Sequence, residues 1–470
     1  MAIDPQRLSV VFKAYDVRGT VPDQLDADLV EAVGVGFADL VRADEPGATR
    51  VLVGRDMRPS GVELAAAFAR GVTSQGLDVV DLGLTSTDEL FVASGHLEAA
   101  GAQLTASHNP AGYNGIKMCL SGARPVGQES GLVHIAEVAA AGREPSGAPG
   151  AVSTLDVLDE FVAHVHRFVD VNALAPLSIV ADAANGMGGL IAPAVFKGLP
   201  GRFEMIYGDL DGTFPNHPAD PIQAENLVDL QRRLREVGAD LGLAFDGDAD
   251  RVFLVDDKGE PVSGSTTTAL VAIEVLRADP GAVILHNLIC SRSVPEVVRE
   301  HGGVPVRTRV GHSFIKGVMA ETGAAFGGEH SGHYYFRENF RADSGIIAAL
   351  AVWQALSRTG QPLSELRTHV ERYVASGEIN TTVTDPVAVI EEVSTGFDPA
   401  ASDRLDGLTV DGGDWWFNLR PSNTEPLLRL NVEAPDEIAC SARVEEMIGR
   451  IADADALVKA SPPPRIEEPA

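Results

Sequence analysis

The sequence predicts an α/β protein: three topologically similar α/β domains and a smaller C-terminal α+β domain around a central cleft. Two observations carry this. A strand, helix, strand, helix, strand order ending in a polar loop recurs three times along the chain. Past Val374 the pattern changes to short strands around one helix, followed by a closing helix. The three copies are dissimilar in sequence, so the repeat is one of topology. Each ends in a loop of different chemistry, and equivalent strand ends would bring these loops to one cleft between domains.

In the first copy, residues 50–53 read as a strand, 62–74 as a helix, 77–82 as the second strand and 88–95 as the second helix. Residues 103–105 end the third strand, which delivers Ser107. In the second copy, strands at 177–181, 203–207 and 240–245 alternate with helices, the last of them at 225–237, and deliver residues 246–251. In the third, strands at 282–286, 304–308 and 324–326 surround helices at 294–301 and after His312, and deliver residues 327–333. The C-terminal part holds a helix at 386–394, a strand at 413–419, a loop at 420–426, a strand at 427–432 and a helix at 436–451. Residues 142–150, rich in Gly and Pro, read as a linker. The expected domains are 1–150 with the Ser107 loop, 151–257 with the Asp-rich loop, 258–372 with the Glu329 loop and 373–456 with the Arg420 loop. Residues 457–470 read as a disordered tail.

Composition narrows the partners. The chain has 470 residues, 45% apolar and 22% charged, enough for several well-filled cores. A net charge of −30 disfavours nucleic acid and anionic membrane surfaces. An anionic substrate would therefore need a local cluster of cations. Three cysteines without paired spacing suggest neither a disulfide framework nor a zinc site, and fit a reducing cytoplasm. The first seven residues have no apolar signal core, and no stretch has the length of a membrane span. The expectation is a cytoplasmic protein.

Four loops carry chemistry. Thr105, Ala106, Ser107, His108, Asn109 and Pro110 follow an apolar strand, and Pro110 stops further strand or helix. Ser107 is thereby presented at the carboxyl edge of a sheet, where open α/β folds place their chemistry. A simple Asn-Pro turn is the plain alternative. Asp246, Asp248 and Asp250 alternate after a second apolar strand, so their side chains share one face. Carboxylates so crowded call for a cation, and an all-oxygen set suits Mg²⁺. An EF-hand would need Gly where Arg251 stands. Glu329, Ser331 and His333 alternate between glycines, and a carboxylate there could accept from two sugar hydroxyls. Arg420, Ser422, Asn423 and Thr424 combine a guanidinium, hydroxyls, an amide and turn backbone, which suits a phosphate dianion. His312, behind Gly311, reads as an acid or base or as a core histidine. No Gly-x-Ser-x-Gly elbow or Gly-Lys-Ser/Thr phosphate loop occurs, and Gly34-x-Gly36 lacks the third glycine of a dinucleotide fingerprint.

Together these loops, with Lys13 to Gly19 before them, resemble those of the α-D-phosphohexomutase superfamily, particularly bacterial phosphomannomutase/phosphoglucomutase. The resemblance spans Lys13 to about Ile451. It implies that Ser107 is a phosphoserine that gives its phosphoryl group to a sugar phosphate and takes another back. The bisphosphorylated sugar turns over in the cleft between the two steps. Mg²⁺ would be held by Asp246, Asp248, Asp250 and a phosphoserine oxygen of Ser107. Lys117 and His312 would move the hydroxyl proton, and Arg251 would offset charge near the metal. Arg18 would belong to the cationic wall. Glu329, Ser331 and His333 would bind the sugar, and Arg420, Ser422, Asn423 and Thr424 the phosphate that is not reacting. The implied substrates are hexose phosphates of mannose and glucose, with glucose 1,6-bisphosphate or mannose 1,6-bisphosphate as activator. The implied protein is a monomer or homodimer. A phosphoglucosamine mutase, a non-catalytic sugar-phosphate binder and a simple phosphatase are the alternatives. Two departures stand out. His330 occupies a position where the mannose/glucose enzymes often have Met and glucosamine mutases often have Gln. Ile289 stands near a phosphate-binding Lys of the family, with Arg292 as the nearby cation.

Overall fold

The structure, a computed structural model, describes residues 2–422 and 427–460, without the side chains of His312 and Ser313. Three sheets share one core order. In the first, strand Arg50–Arg55 lies between Asp78–Leu84 and Ala100–Leu104, all parallel, and Tyr113–Leu120 adds antiparallel beside Ala100–Leu104. In the second, Leu177–Asp182 lies between Gly201–Ile206 and Leu241–Phe245, with Val252–Val255 antiparallel. In the third, Val283–Asn287 lies between Val304–Thr308 and Phe326–Gly328, with Tyr334–Phe336 antiparallel. The topological repeat read from the sequence is therefore present, with an added element of which the sequence suggests only the Tyr334–Phe336 strand. Each copy has a fourth, antiparallel strand, and each polar loop is the connection from third strand to fourth.

The third strands Ala100–Leu104 and Leu241–Phe245 are buried along their whole length. Such strands lie covered on both faces, as parallel sheets require. The chain can expose polar groups only where it leaves the sheet, so the chemistry gathers at the strand ends. Gly34 and Gly36 serve packing. A Cβ at 34 would lie 2.4 Å from the Phe68 carbonyl oxygen, so helix Ala27–Asp44 touches helix Gly61–Ser74 at backbone distance.

The C-terminal domain is a five-stranded sheet, Val374–Thr382, Leu427–Ala434, Trp416–Pro421, Leu408–Asp411 and Ser402–Asp403 in spatial order, all antiparallel. Helices Pro386–Ser394 and Glu437–Ala460 pack on it around Phe417, Leu419, Leu430 and Met447. The first domain has its own core, whereas the second and third share one, from Phe161 through Phe245 to Trp353.

Three edges differ from the sequence reading. Val152–Thr154 pairs with Asp78–Leu84, so the first sheet reaches past residue 150. Pro261–Val262 pairs with Val252–Val255, so the second sheet reaches past residue 257. The closing helix runs to Ala460, and residues 457–460, read as tail, are helical because Val458 packs on the domain core and Lys459 pairs with Asp455 one turn back. Among the described residues no helix is long and apolar enough to cross a membrane.

Candidate active site

The Ser107 loop is built on two hydroxyl and carboxylate contacts. The Ser107 amide donates to Thr105 Oγ1 at 3.0 Å, and Thr105 Oγ1 donates to Asp56 Oδ2 at 2.7 Å. Ser107 itself has a φ of 49°, left-handed and uncommon for a residue with a side chain. Its carbonyl and those of Asn109, Pro110 and Tyr113 turn inward, toward the buried guanidinium of Arg58. That leaves the Ser107 side chain aimed at the second domain. Its Oγ donates to Asp246 Oδ2 at 2.7 Å and accepts from Arg251 Nη2 at 3.3 Å. His108 Nδ1 lies 3.2 Å from the same Oγ and 2.5 Å from Arg251 Nη2. The Arg251 charge and burial hold His108 well below the usual histidine range, so its imidazole is neutral and Nδ1 accepts.

Asp246, Asp248 and Asp250 are buried together, with one oxygen from each within 4.8 Å of the others. Their outer oxygens are engaged. Lys117 Nζ donates to Asp248 Oδ2 at 2.7 Å and to Asp250 Oδ2 at 2.5 Å, Thr87 Oγ1 donates to Asp248 Oδ2 at 2.5 Å, and Arg251 Nε donates to Asp246 Oδ2 at 2.9 Å. Asp248 Oδ1 and Asp250 Oδ1 are buried without a hydrogen-bond partner. A buried carboxylate oxygen left unpaired is costly. Two of them beside a third carboxylate fit a small oxygen-loving cation. The titration behaviour agrees: burial, with Asp250 and Asp248 adding to it, pushes Asp246 up to about 7. Burial also raises Asp250, while for Asp248 the raising effect of burial is outweighed by Lys117, Thr87 and Arg251 together, which hold it below the carboxylate range. One lysine and one arginine do not neutralise the set.

The third loop meets this centre. His333 Nδ1 is 2.7 Å from Asp343 Oδ2 and 4.0 Å from Asp250 Oδ1. Asp343 in turn pairs with the buried Lys316 at 3.2 Å. Glu329 is 2% exposed and held by three donors: the Gly311 amide at 3.0 Å and Asn287 Nδ2 at 3.3 Å on Oε1, and the Tyr335 hydroxyl at 2.9 Å on Oε2. Ser331 is half-buried beside it. His330 Nδ1 meets Ser265 Oγ at 3.0 Å, and the charges of Glu378 and Arg420 act on its ring. The Glu329 loop thus faces the C-terminal domain.

Arg18 reaches the Ser107 loop through Asn109 Oδ1 at 2.6 Å and pairs with Asp16. Arg420 is turned to Glu378 Oε2 at 2.5 Å and Asn418 Oδ1 at 3.3 Å, within its own domain. The Ser422 amide donates to the Leu427 carbonyl at 2.9 Å. Asn423 and Thr424 lie outside the described residues, as does the His312 side chain; the His312 backbone opens helix His312–Thr322. Arg292 donates to the Gly413 carbonyl, Asp411 Oδ1 and the Trp415 carbonyl, so it ties the third domain to the fourth. Its guanidinium is thereby engaged away from the position of Ile289. Sequence reasoning missed Arg58, Thr87, His108, Lys316 and Asp343. Of these only His108, inside the Ser107 motif, left a signal.

Comparison with known proteins places this architecture. Models of the phosphoglucomutase/phosphomannomutase family match in order: α/β/α domain I at residues 9–144, domain II at 159–259, domain III at 263–373 and the C-terminal domain at 378–450. The chain belongs to this family, within the α-D-phosphohexomutases. A phosphomannomutase of Salmonella montevideo is 38% identical over 450 residues, covering 93% of this chain and 98% of that one. A protein named phosphohexose mutases from Xanthomonas campestris pv. campestris is 39% identical over 434 residues, covering 91% and 96%. Among solved structures, a phosphoglucomutase/phosphomannomutase family protein of Burkholderia thailandensis superposes with a TM-score of 0.86 at 33% identity, covering 97% and 98%.

Proposed function

We propose that this protein is a Mg²⁺-dependent phosphohexomutase. It interconverts hexose 1-phosphate and hexose 6-phosphate, of mannose and also of glucose, through a phosphoserine at Ser107 and a bisphosphorylated sugar. One observation carries the reading. The Ser107 hydroxyl, in the first domain, lies 2.7 Å from Asp246 and 3.3 Å from Arg251, in the second, at the mouth of a carboxylate cluster with unpaired oxygens.

Phosphoryl transfer asks mainly for in-line positioning and for charge to be neutralised where it develops. In the forward half, the bond from phosphorus to Ser107 Oγ breaks and a bond to the sugar hydroxyl oxygen forms. The hydroxyl proton passes by way of His312 and Lys117, the candidate shuttles, to the leaving Ser107 Oγ. In the return half, the other phosphoryl group moves to Ser107 Oγ, whose proton returns along the same groups to the freed sugar oxygen. Lys117 is placed for this by its pairs with Asp248 and Asp250. Arg251 holds the serine oxygen and balances the phosphate charge. Asp246, Asp248, Asp250 and an oxygen of phosphorylated Ser107 would hold Mg²⁺, which when bound neutralises charge on the transferring group.

Glu329 and Ser331 would orient the sugar through its hydroxyls, with His333, fixed by Asp343, on the metal side. Arg420, Ser422, Asn423 and Thr424 would grip the distal phosphate, and Arg18, beside the Ser107 loop, would belong to the cationic wall. Arg420 would exchange its Glu378 partner for that phosphate. Glucose 1,6-bisphosphate or mannose 1,6-bisphosphate would charge Ser107 and so act as activator. The names of the curated relatives support mannose and glucose phosphates over glucosamine phosphate, and the Ser107–Asp246 contact supports catalysis over mere binding.

A phosphorus NMR time course tests this. The protein is mixed with mannose 1-phosphate or glucose 1-phosphate, Mg²⁺ and a trace of glucose 1,6-bisphosphate. Growth of a 6-phosphate signal from both sugars is expected. Release of inorganic phosphate alone, or conversion of glucosamine 1-phosphate only, would overturn the reading.

A further inference from the structure

We infer that Arg58 is the positioning residue that sets the phosphoryl-carrying serine, an inference that rests on Ser107 being that carrier. Arg58 lies in the turn between strand Arg50–Arg55 and helix Gly61–Ser74, and it is 1% exposed. A guanidinium has five N–H groups in a rigid plane. Here every one has an acceptor. Nη2 donates to the Ser107 carbonyl at 2.9 Å and the Asn109 carbonyl at 2.7 Å. Nη1 donates to the Pro110 carbonyl at 2.8 Å and the Tyr113 carbonyl at 2.9 Å, and Nε donates to Asp56 Oδ2 at 3.2 Å.

The loop is thus wound around one buried cation, with its carbonyls inward. That winding holds Ser107 at its positive φ and points Oγ at Asp246. The frame is itself anchored. Asp56 accepts from the Arg58 amide at 2.9 Å and from Thr105 Oγ1 at 2.7 Å. The second domain closes over it. The Phe214 ring lies 5.1 Å from the guanidinium carbon, and a Cβ at Gly212 would lie 2.5 Å from Arg58 Cα. Among the described residues Arg58 makes no hydrogen bond to Asp246, Asp248 or Asp250, so although its charge is felt at Asp248 its direct hold on the site is the Ser107 loop.

Lysine keeps the charge but offers three donors from one point, so at least one of the four loop carbonyls would lose its donor. For Arg58→Lys we expect kcat to fall about 100-fold, as for a displacement near 1 Å. KM for the hexose 1-phosphate and the Mg²⁺ concentration for half-maximal rate should stay within about threefold. Thr105→Val, close in shape and removing the Asp56 tie, should show the same split and serves if Arg58→Lys does not fold. Folded Arg58→Lys or Thr105→Val with unchanged kcat would overturn the inference, as would equal losses in kcat, KM and Mg²⁺ response. Ser107→Ala is measured alongside. Full turnover in that variant would remove the carrier reading itself, whereas an inactive Ser107→Ala beside a fully active Arg58→Lys would remove only the role of Arg58.

Discussion

Gly247→Ala is the sharpest perturbation of the contact between the two central loops. Gly247 follows Asp246, and a Cβ built there would lie 2.3 Å from the Ser107 carbonyl oxygen. Carbon and oxygen in ordinary contact stand about 3.3–3.6 Å apart. The loops must therefore separate by about 1 Å, because the obstacle is backbone held by Arg58 and not a flexible side-chain end. The Ser107 Oγ to Asp246 Oδ2 hydrogen bond, 2.7 Å in this structure, would open beyond hydrogen-bond length. Overpacking of this kind costs about 1–3 kcal/mol of stability, and a 1 Å misplacement of reacting groups costs about 100-fold in rate. A coupled assay for hexose 6-phosphate, with a urea melt of the same preparation, reads both. Wild-type turnover in Gly247→Ala would refute the claim that these loops work at fixed backbone distance. Gly317 supplies the contrast. It lies inside helix His312–Thr322 with nothing within 4 Å of its added Cβ, so Gly317→Ala should stabilise by about 0.5–1 kcal/mol.

Further expectations concern the metal and pH. Mg²⁺ should raise the melting temperature of the wild-type protein in a concentration-dependent way, since a ligand that binds only the folded state stabilises it; in Asp248→Asn, which removes an unpaired oxygen's charge, the midpoint of that response should move about 100-fold or more higher in Mg²⁺. An unchanged midpoint would count against this cluster as the metal site. His286 is buried at the edge of the third sheet's central strand, and burial lowers its imidazole to about 4. A depressed folded value means that stability is present above the unfolded value of about 6.5 and is lost as pH falls through 4. The loss amounts to at most about 3 kcal/mol. His286→Asn should flatten the urea-midpoint profile between pH 6.5 and 4, and an identical slope in both proteins would contradict the assignment.

The parts of the site that were legible in the sequence are those that a single stretch of chain encodes. Three carboxylates at period two after an apolar strand declare a shared face. An apolar strand broken at Pro110 declares a serine presented at a strand end. What was not legible acts across long separations. Thr87 bonds Asp248, Arg58 bonds the Ser107 loop, and Lys316 pairs with Asp343, and in no case does one stretch of chain hold both partners. Two of the fourth strands were hidden for a local reason. Tyr113–Leu120 carries Asn114, Gly115 and Lys117 within its length, and Val252–Val255 has only four residues, too few to show a period. Arg292, close to Ile289 in the chain, bonds Asp411 and the Trp415 carbonyl of the fourth domain, partners more than a hundred residues away that its own stretch of sequence does not announce.

The most direct test of the central claim is a pulse and chase of the phosphoryl group. The protein is mixed with glucose 1,6-bisphosphate carrying labelled phosphorus, digested and mapped, while a parallel sample is chased with unlabelled mannose 6-phosphate. The account predicts label on the peptide containing Ser107 and its transfer to sugar bisphosphate in the chase. Label on another residue, or label on Ser107 that leaves only as inorganic phosphate, would contradict it.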